Sequence, residues 1–192
     1  MIEVLGLQKI QMCYQNNQTD IFCFLREQYI GKPRLSGEPG YYHPFRMMKE
    51  LISCGVNDSK LVLGALLHDI LEDTDIVYEQ FQGIFGNQIF EIVYGLSNLD
   101  KNRVPMPKSD YFLKFRSSIH AEWRILFIKL FDCLDNLRTL GELSLERQLR
   151  FRKEKKEFYL EVFKENVMII PSRYRTIFVD KISELSQILN VL

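Results

Sequence analysis

Apolar residues recur along this chain at the three- and four-residue intervals of amphipathic helices, and no alternating strand pattern of useful length stands between turn signals. The pattern predicts an all-α fold with helices at 7–29, 44–54, 58–73, 78–85, 87–98, 109–140 with a break near Ser118, 144–166 and 171–190. Between them, the loop from Gly31 to Gly40 holds Pro33, Gly37 and Pro39, and the loop from Leu99 to Ser109 holds Pro105 and Pro107. Neither is long or polar enough to separate domains, and no internal repeat is visible, so residues 1–192 read as one helical domain.

Two of these helices depart from the amphipathic pattern. From Lys60 to Asp73, the residues Leu61, Val62, Leu63, Ala65, Leu66 and Leu67 leave no polar face, which predicts a buried central helix that carries His68 and Asp69 into the interior. From Ile125 to Asn136 only Lys129 interrupts the apolar residues before Asp132, Asp135 and Asn136, so this polar end is also expected inside.

Composition narrows the class. The 192 residues suffice for one substantial core, with 46% hydrophobic residues and few Pro and Gly, which excludes a disordered or low-complexity chain. The 25 Lys and Arg balance 25 Asp and Glu, so no bulk field recruits nucleic acid or an anionic membrane, and an anionic ligand must be held locally. Cys13, Cys23, Cys54 and Cys133 form no CxxC pair, against a zinc cluster or a disulfide framework. The N-terminus carries Glu3 in place of a basic region and lacks an apolar stretch, and no run approaches membrane-spanning length, so a cytoplasmic protein is expected. His120, placed near a helix start, reads as a surface residue. The run from Arg147 to Lys156 reads as a solvated helix face, with a basic lip for polyphosphate as the alternative, and Trp123 and the aromatics at 151–163 and 174–178 read as core.

The chemistry concentrates at His68 to Asp73. On one continuous helix His68, Glu72, Asp69 and Asp73 would fall at about 0°, 40°, 100° and 140°, within one sector. Buried carboxylates so close repel one another and require compensation, and a divalent metal is the simplest source, because imidazole and carboxylate suit manganese, iron or zinc. His43 precedes Pro44, which suits the first helical position and predicts an extended, cap-like His43. Asp132, Asn136 and Thr139 make a polar stripe on the second buried helix.

His43, His68–Asp69 and Asp132 stand in the order H…HD…D. This constellation resembles the HD-domain phosphohydrolases, in which two His and two Asp hold one divalent ion. The blocks RLSGEPGYYHP (34–44), ALLHDILEDTD (65–75), FG (85–86), GLSN (95–98) and IKLFDCLDNLRTL (128–140) further resemble the hydrolase domain of the RelA/SpoT family, over about residues 20–145. The length is similar to that of the single-domain small alarmone hydrolases, including the metazoan SpoT homologs, and implies a single HD-domain bundle of about eight to ten helices, with C-terminal helices over 146–192.

The resemblance implies removal of the 3′-pyrophosphate from ppGpp and pppGpp. It makes His43, His68, Asp69 and Asp132 manganese ligands, and Glu72 and Asp73 the pair that orients and deprotonates the attacking water, with the choice of base open. Arg34 would stack on the guanine, Ser36 and Thr139 lie near the base, and Asn136 hold the ribose. Three departures bear on nucleotide preference: Gly40 follows Gly-Glu-Pro where the family has Tyr, Tyr29 lies near the place of an absent His, and Asp135 replaces a frequent His or Tyr and is expected to add negative charge at the pocket rim. Arg138 points away from the stripe and reads as structural. A phosphatase of another nucleotide such as NADPH, and a non-catalytic alarmone-binding protein, are the alternatives. Metal identity and assembly into a homo-oligomer stay open.

Overall fold

The computed structural model describes residues 21–35 and 37–190 of the chain. Its order is α1 (Ile21–Gln28), α2 (Tyr42–Ser53), α3 (Ser59–Leu67), α4 (Ile70–Asp73), α5 (Tyr78–Phe85), α6 (Asn87–Leu96), α7 (Lys108–Ala121), α8 (Trp123–Arg138), α9 (Leu145–Glu154), α10 (Leu160–Glu165) and α11 (Ser172–Asn190). Among the described residues there is no strand; two isolated bridges, Pro33 with Pro39 and Leu99 with Pro105, pinch the two loops. The all-α expectation holds. The helix expected over 7–29 is described only from Ile21 onward, and Cys13 lies outside the described residues.

The two apolar helices form the centre. Every residue from Leu61 to Leu67 in α3 is buried, and α8 buries Ile125 to Ile128 and Leu130 to Asp135. α8 packs against α2, α3, α6, α7 and α11. Gly64 permits this crossing: a Cβ there would lie 2.8 Å from both Ile128 Cδ1 and Ile92 Cγ2. Asp58 starts α3 by accepting from the Leu61 N–H at 2.9 Å, while its two oxygens accept from Arg124 of α8 at 2.9 and 2.7 Å. One carboxylate thus caps one central helix and ties it to the other.

Several boundaries move. The 58–73 helix is interrupted at His68 and Asp69, because Asp69 (φ −97°, ψ −4°) turns the chain before α4 resumes. The wheel that put four side chains in one sector therefore does not apply across this break. The 109–140 helix breaks at Glu122, not near Ser118: Glu122 is extended (φ −144°, ψ 100°) and accepts from the Arg124 N–H to cap α8. His43 is helical, in the second position of α2, not extended before it; Pro44 fits the third position because first-turn N–H groups have no partner within the helix. His120 is exposed as expected, but in the last turn of α7, where a basic group suits the helix dipole. Residues 145–165 run as one rod through a π turn at Lys155–Tyr159. The basic run in this rod is chiefly solvated, except that Lys155 is buried against Phe151 and Tyr159. Arg138, as expected, is structural: it pairs with Glu50 of α2 and Glu184 of α11.

Candidate metal centre and adjoining cleft

Three elements bring the predicted residues together. His43 comes from the first turn of α2, His68 and Asp69 from the α3–α4 turn, and Asp132 from the third turn of α8. His43 Nε2 lies 3.1 Å from His68 Nε2, 3.2 Å from Asp132 Oδ1 and 3.7 Å from Asp69 Oδ2. His68 Nε2 lies 3.0 Å from Asp69 Oδ2 and 3.8 Å from Asp132 Oδ1. His43, His68 and Asp132 are buried, and Asp69 is partly open.

The ring orientations are set from behind. His68 Nδ1 is 2.8 Å from the Ala65 carbonyl, and His43 Nδ1 is 2.6 Å from Asp135 Oδ2, so each ring gives an Nδ1–H outward and turns an Nε2 lone pair inward. Two such lone pairs and the Asp69 carboxylate lie close enough together to hold a divalent cation, and Asp132 Oδ1 lies 3.2 and 3.8 Å from the two imidazole nitrogens. Without one, a proton serves: burial opposes charge on His68, but Asp69 and Asp132 outweigh it and hold its pKa up to about 10. Burial likewise disfavours ionised Asp69, yet His68 draws it down to about 2.

Lys129 is a component that sequence reasoning left unassigned. Its ammonium lies 2.8 Å from Asp132 Oδ2, near the rings of Tyr159 and Tyr111. Burial would strip its proton, and the Asp132 charge keeps it firmly in place. Its i, i+3 spacing from Asp132 was the available signal.

Glu72 and Asp73, on α4, keep solvent access but are densely surrounded by protein. Desolvation, with the Asp69 charge, pushes Glu72 up to about 7 and Asp73 up to about 6. They are placed differently. Glu72 Oε1 accepts from the Asn98 N–H at 2.7 Å, whereas Asp73 lines a cavity of 360 Å³ next to Asp69.

That cavity is bounded by Lys32, Arg34, Gly40, Asn136 and Thr139 and by the apolar Leu140, Leu143 and Phe151. Arg34 donates to Asn136 Oδ1, and Asn136 donates in turn to Asp132 Oδ1. Thr139 faces the cavity while its hydroxyl donates to the Asp135 carbonyl at 3.0 Å, so it also closes its own helix. Ser36 lies outside the described residues.

All three departures have a definite place in the structure. A Cβ on Gly40 would lie 2.4 Å from Cδ1 of the buried Tyr29 ring, so this ring leaves no room for a side chain at position 40. Asp135 is not at the pocket rim. It is buried, and Arg46 Nε and Nη2 donate to it at 2.8 and 2.9 Å, so its charge is compensated away from the cavity.

Comparison with known proteins bears on the family and the fold. A family profile for the HD domain matches residues 22–162. The chain is 36% identical over 141 residues to the bifunctional (p)ppGpp synthase/hydrolase SpoT of Escherichia coli, covering 70% of this chain and 19% of that protein. It is 30% identical over 156 residues to the guanosine-3′,5′-bis(diphosphate) 3′-pyrophosphohydrolase of Aquifex aeolicus, covering 80% of this chain and 22% of that one. The chain thus spans about a fifth of the length of these relatives. A solved structure, described as a metazoan ortholog of SpoT that hydrolyzes ppGpp, shares the fold with a TM-score of 0.67 at 21% identity, over 90% of this chain and 94% of that one.

Proposed function

The chain belongs to the HD-domain family, in its RelA/SpoT-type branch, and from that premise we propose a metal-dependent hydrolase that takes the 3′-pyrophosphate from ppGpp and pppGpp, leaving GDP or GTP. The observation that carries this reading is the convergence of two inward Nε2 atoms and two carboxylates beside a cavity lined by Arg34 and Asn136.

His43, His68, Asp69 and Asp132 would hold the ion, which we take to be manganese. When bound it supplies Lewis-acid charge to a phosphate oxygen and to the attacking water. The protein's own residues do the rest. Asp73, facing the cavity beside Asp69, accepts the proton of the water, and the elevated pKa of this carboxyl suits an acceptor working near neutrality. Glu72, tethered to the Asn98 N–H, fixes α4 against the loop after α6 and orients its neighbour. Arg34 offers a planar cation to the guanine, and Asn136 and Thr139 line the same side for the ribose and base. Ser36 is assigned to the base on the motif alone. Leu140, Leu143 and Phe151 exclude water from that side.

The test is product analysis with the metal-stripped protein, with and without Mn2+, on ppGpp and on NADPH. Mn2+-dependent pyrophosphate from ppGpp is expected. Asp69→Asn and Asp132→Asn should abolish both metal binding and turnover, and Asp73→Asn should cost about 10²–10⁴-fold in kcat. Orthophosphate from NADPH without pyrophosphate from ppGpp would replace the substrate, and binding without turnover would leave an alarmone-binding protein.

A further inference from the structure

We infer that Asp135 is a positioning residue of the metal centre: by accepting the Nδ1–H of His43 it fixes which nitrogen of that ring is free for a cation and makes that nitrogen a stronger donor. This rests on the metal reading above and deepens it.

Asp135 is 4% exposed and His43 is not exposed at all, and the 2.6 Å contact between them is the shortest approach His43 makes to any of the carboxylates around it. A carboxylate placed behind a ligating imidazole selects the tautomer and raises the basicity of the opposite nitrogen. A bare carboxylate would also add a negative charge to a site that already contains two. The geometry removes that penalty. Arg46 donates to both oxygens of Asp135, and its Nη1 and Nη2 donate to both oxygens of Glu38 at 2.7 and 2.9 Å. Glu38 lies 3.7 Å from Arg34 Nε. Arg34, Glu38, Arg46 and Asp135 therefore form one continuous chain of charged groups from the cleft to His43, the proposed ligand. The line through Asn136 to Asp132 is a second, separate link between the same arginine and the site.

Two measurements test this. Calorimetric titration of Mn2+ into wild-type, Asp135→Leu and Asp135→Asn proteins should show binding weakened about 10- to 100-fold by leucine, with asparagine recovering part of the loss because its carbonyl still accepts from Nδ1–H. Long-range ¹H–¹⁵N spectra of the metal-free wild-type protein should show His43 protonated at Nδ1, a readout that survives if the variants fail to fold. Equal Mn2+ affinity in wild-type and leucine proteins, or a wild-type His43 protonated only at Nε2, overturns the assignment of Asp135 and leaves the metal reading standing. A wild-type protein that binds no Mn2+ overturns both.

Discussion

A methyl group on Gly40 would meet Tyr29 Cδ1 at 2.4 Å and the Lys32 carbonyl at 2.6 Å. Part of this crowding is backbone and cannot rotate away, so Gly40→Ala should cost about 1–3 kcal/mol in urea denaturation. Unchanged stability would show that the 31–40 loop relaxes freely and that Tyr29 does not set the residue at 40. The pair also shows what a linear motif conceals. Gly40 and Tyr29 stand out in the sequence as separate departures, and only the structure shows that they lie against each other. Asp135 is a similar case: its type is visible in the sequence, but its partner Arg46 is 89 positions away, so its charge reads as uncompensated until the helices are assembled.

At the scale of elements, α4 is four residues long and cannot persist by its own hydrogen bonds. It is held at both ends of its role: Asn98 N–H takes Glu72, and the Arg103 guanidinium takes the Ile76 carbonyl and, at 3.1 Å, the Thr74 carbonyl, lying over the Tyr78 ring. Arg103 itself sits at φ 62°, a backbone conformation uncommon outside glycine. Arg103→Ala should therefore leave carbonyls unpaired at a cost of about 1–3 kcal/mol, speed amide exchange in 70–76, and lower kcat while Mn2+ affinity stays unchanged. Loss of Mn2+ affinity instead would mean that the His68–Asp69 turn depends on this clamp. The existence and type of the long helices were legible because their apolar periodicity is what packs them. The break at Asp69 was not, since apolar residues continue on both sides of it and the turn shows only in its backbone angles. Nor was the helical His43, because the bias of a residue before proline yields here to a helix whose first-turn N–H groups need no partner.

At the scale of the whole molecule, Glu72, Asp73 and His68 respond to pH oppositely to the carboxylates that cationic partners depress. Glu72 and Asp73 have folded pKa values near 7 and 6, above 4.5 and 3.8, and His68 near 10, above 6.5. Through these three groups the folded state binds more protons than the unfolded chain, against the single proton that burial strips from Lys114 by lowering its pKa to about 8, and stability from the three is lost as pH rises through their range. Asp58 and Asp135 are depressed despite burial, by their Arg124 and by their His43 and Arg46 partners, so their contribution is present above about pH 4 and lost below it. The metal-free protein should accordingly melt lower at about pH 9 than at about pH 6, while saturating Mn2+, which on the proposed ligand set would displace the His68 proton, should raise Tm by more at the higher pH. A Mn2+ increment that shrinks with pH, measured by scanning calorimetry, would contradict the shared site. The ammonium of Lys129 beneath Asp132 has one more effect. With Oδ2 engaged there and Oδ1 accepting from Asn136, neither oxygen of Asp132 is unoccupied, and the centre offers two imidazoles but few free carboxylate oxygens. Calcium, which seeks a crowd of oxygens and often grips a carboxylate by both, is poorly served by an aspartate so engaged, so on the proposed ligand set Ca2+ should bind more weakly than Mn2+ in the same calorimetric titration.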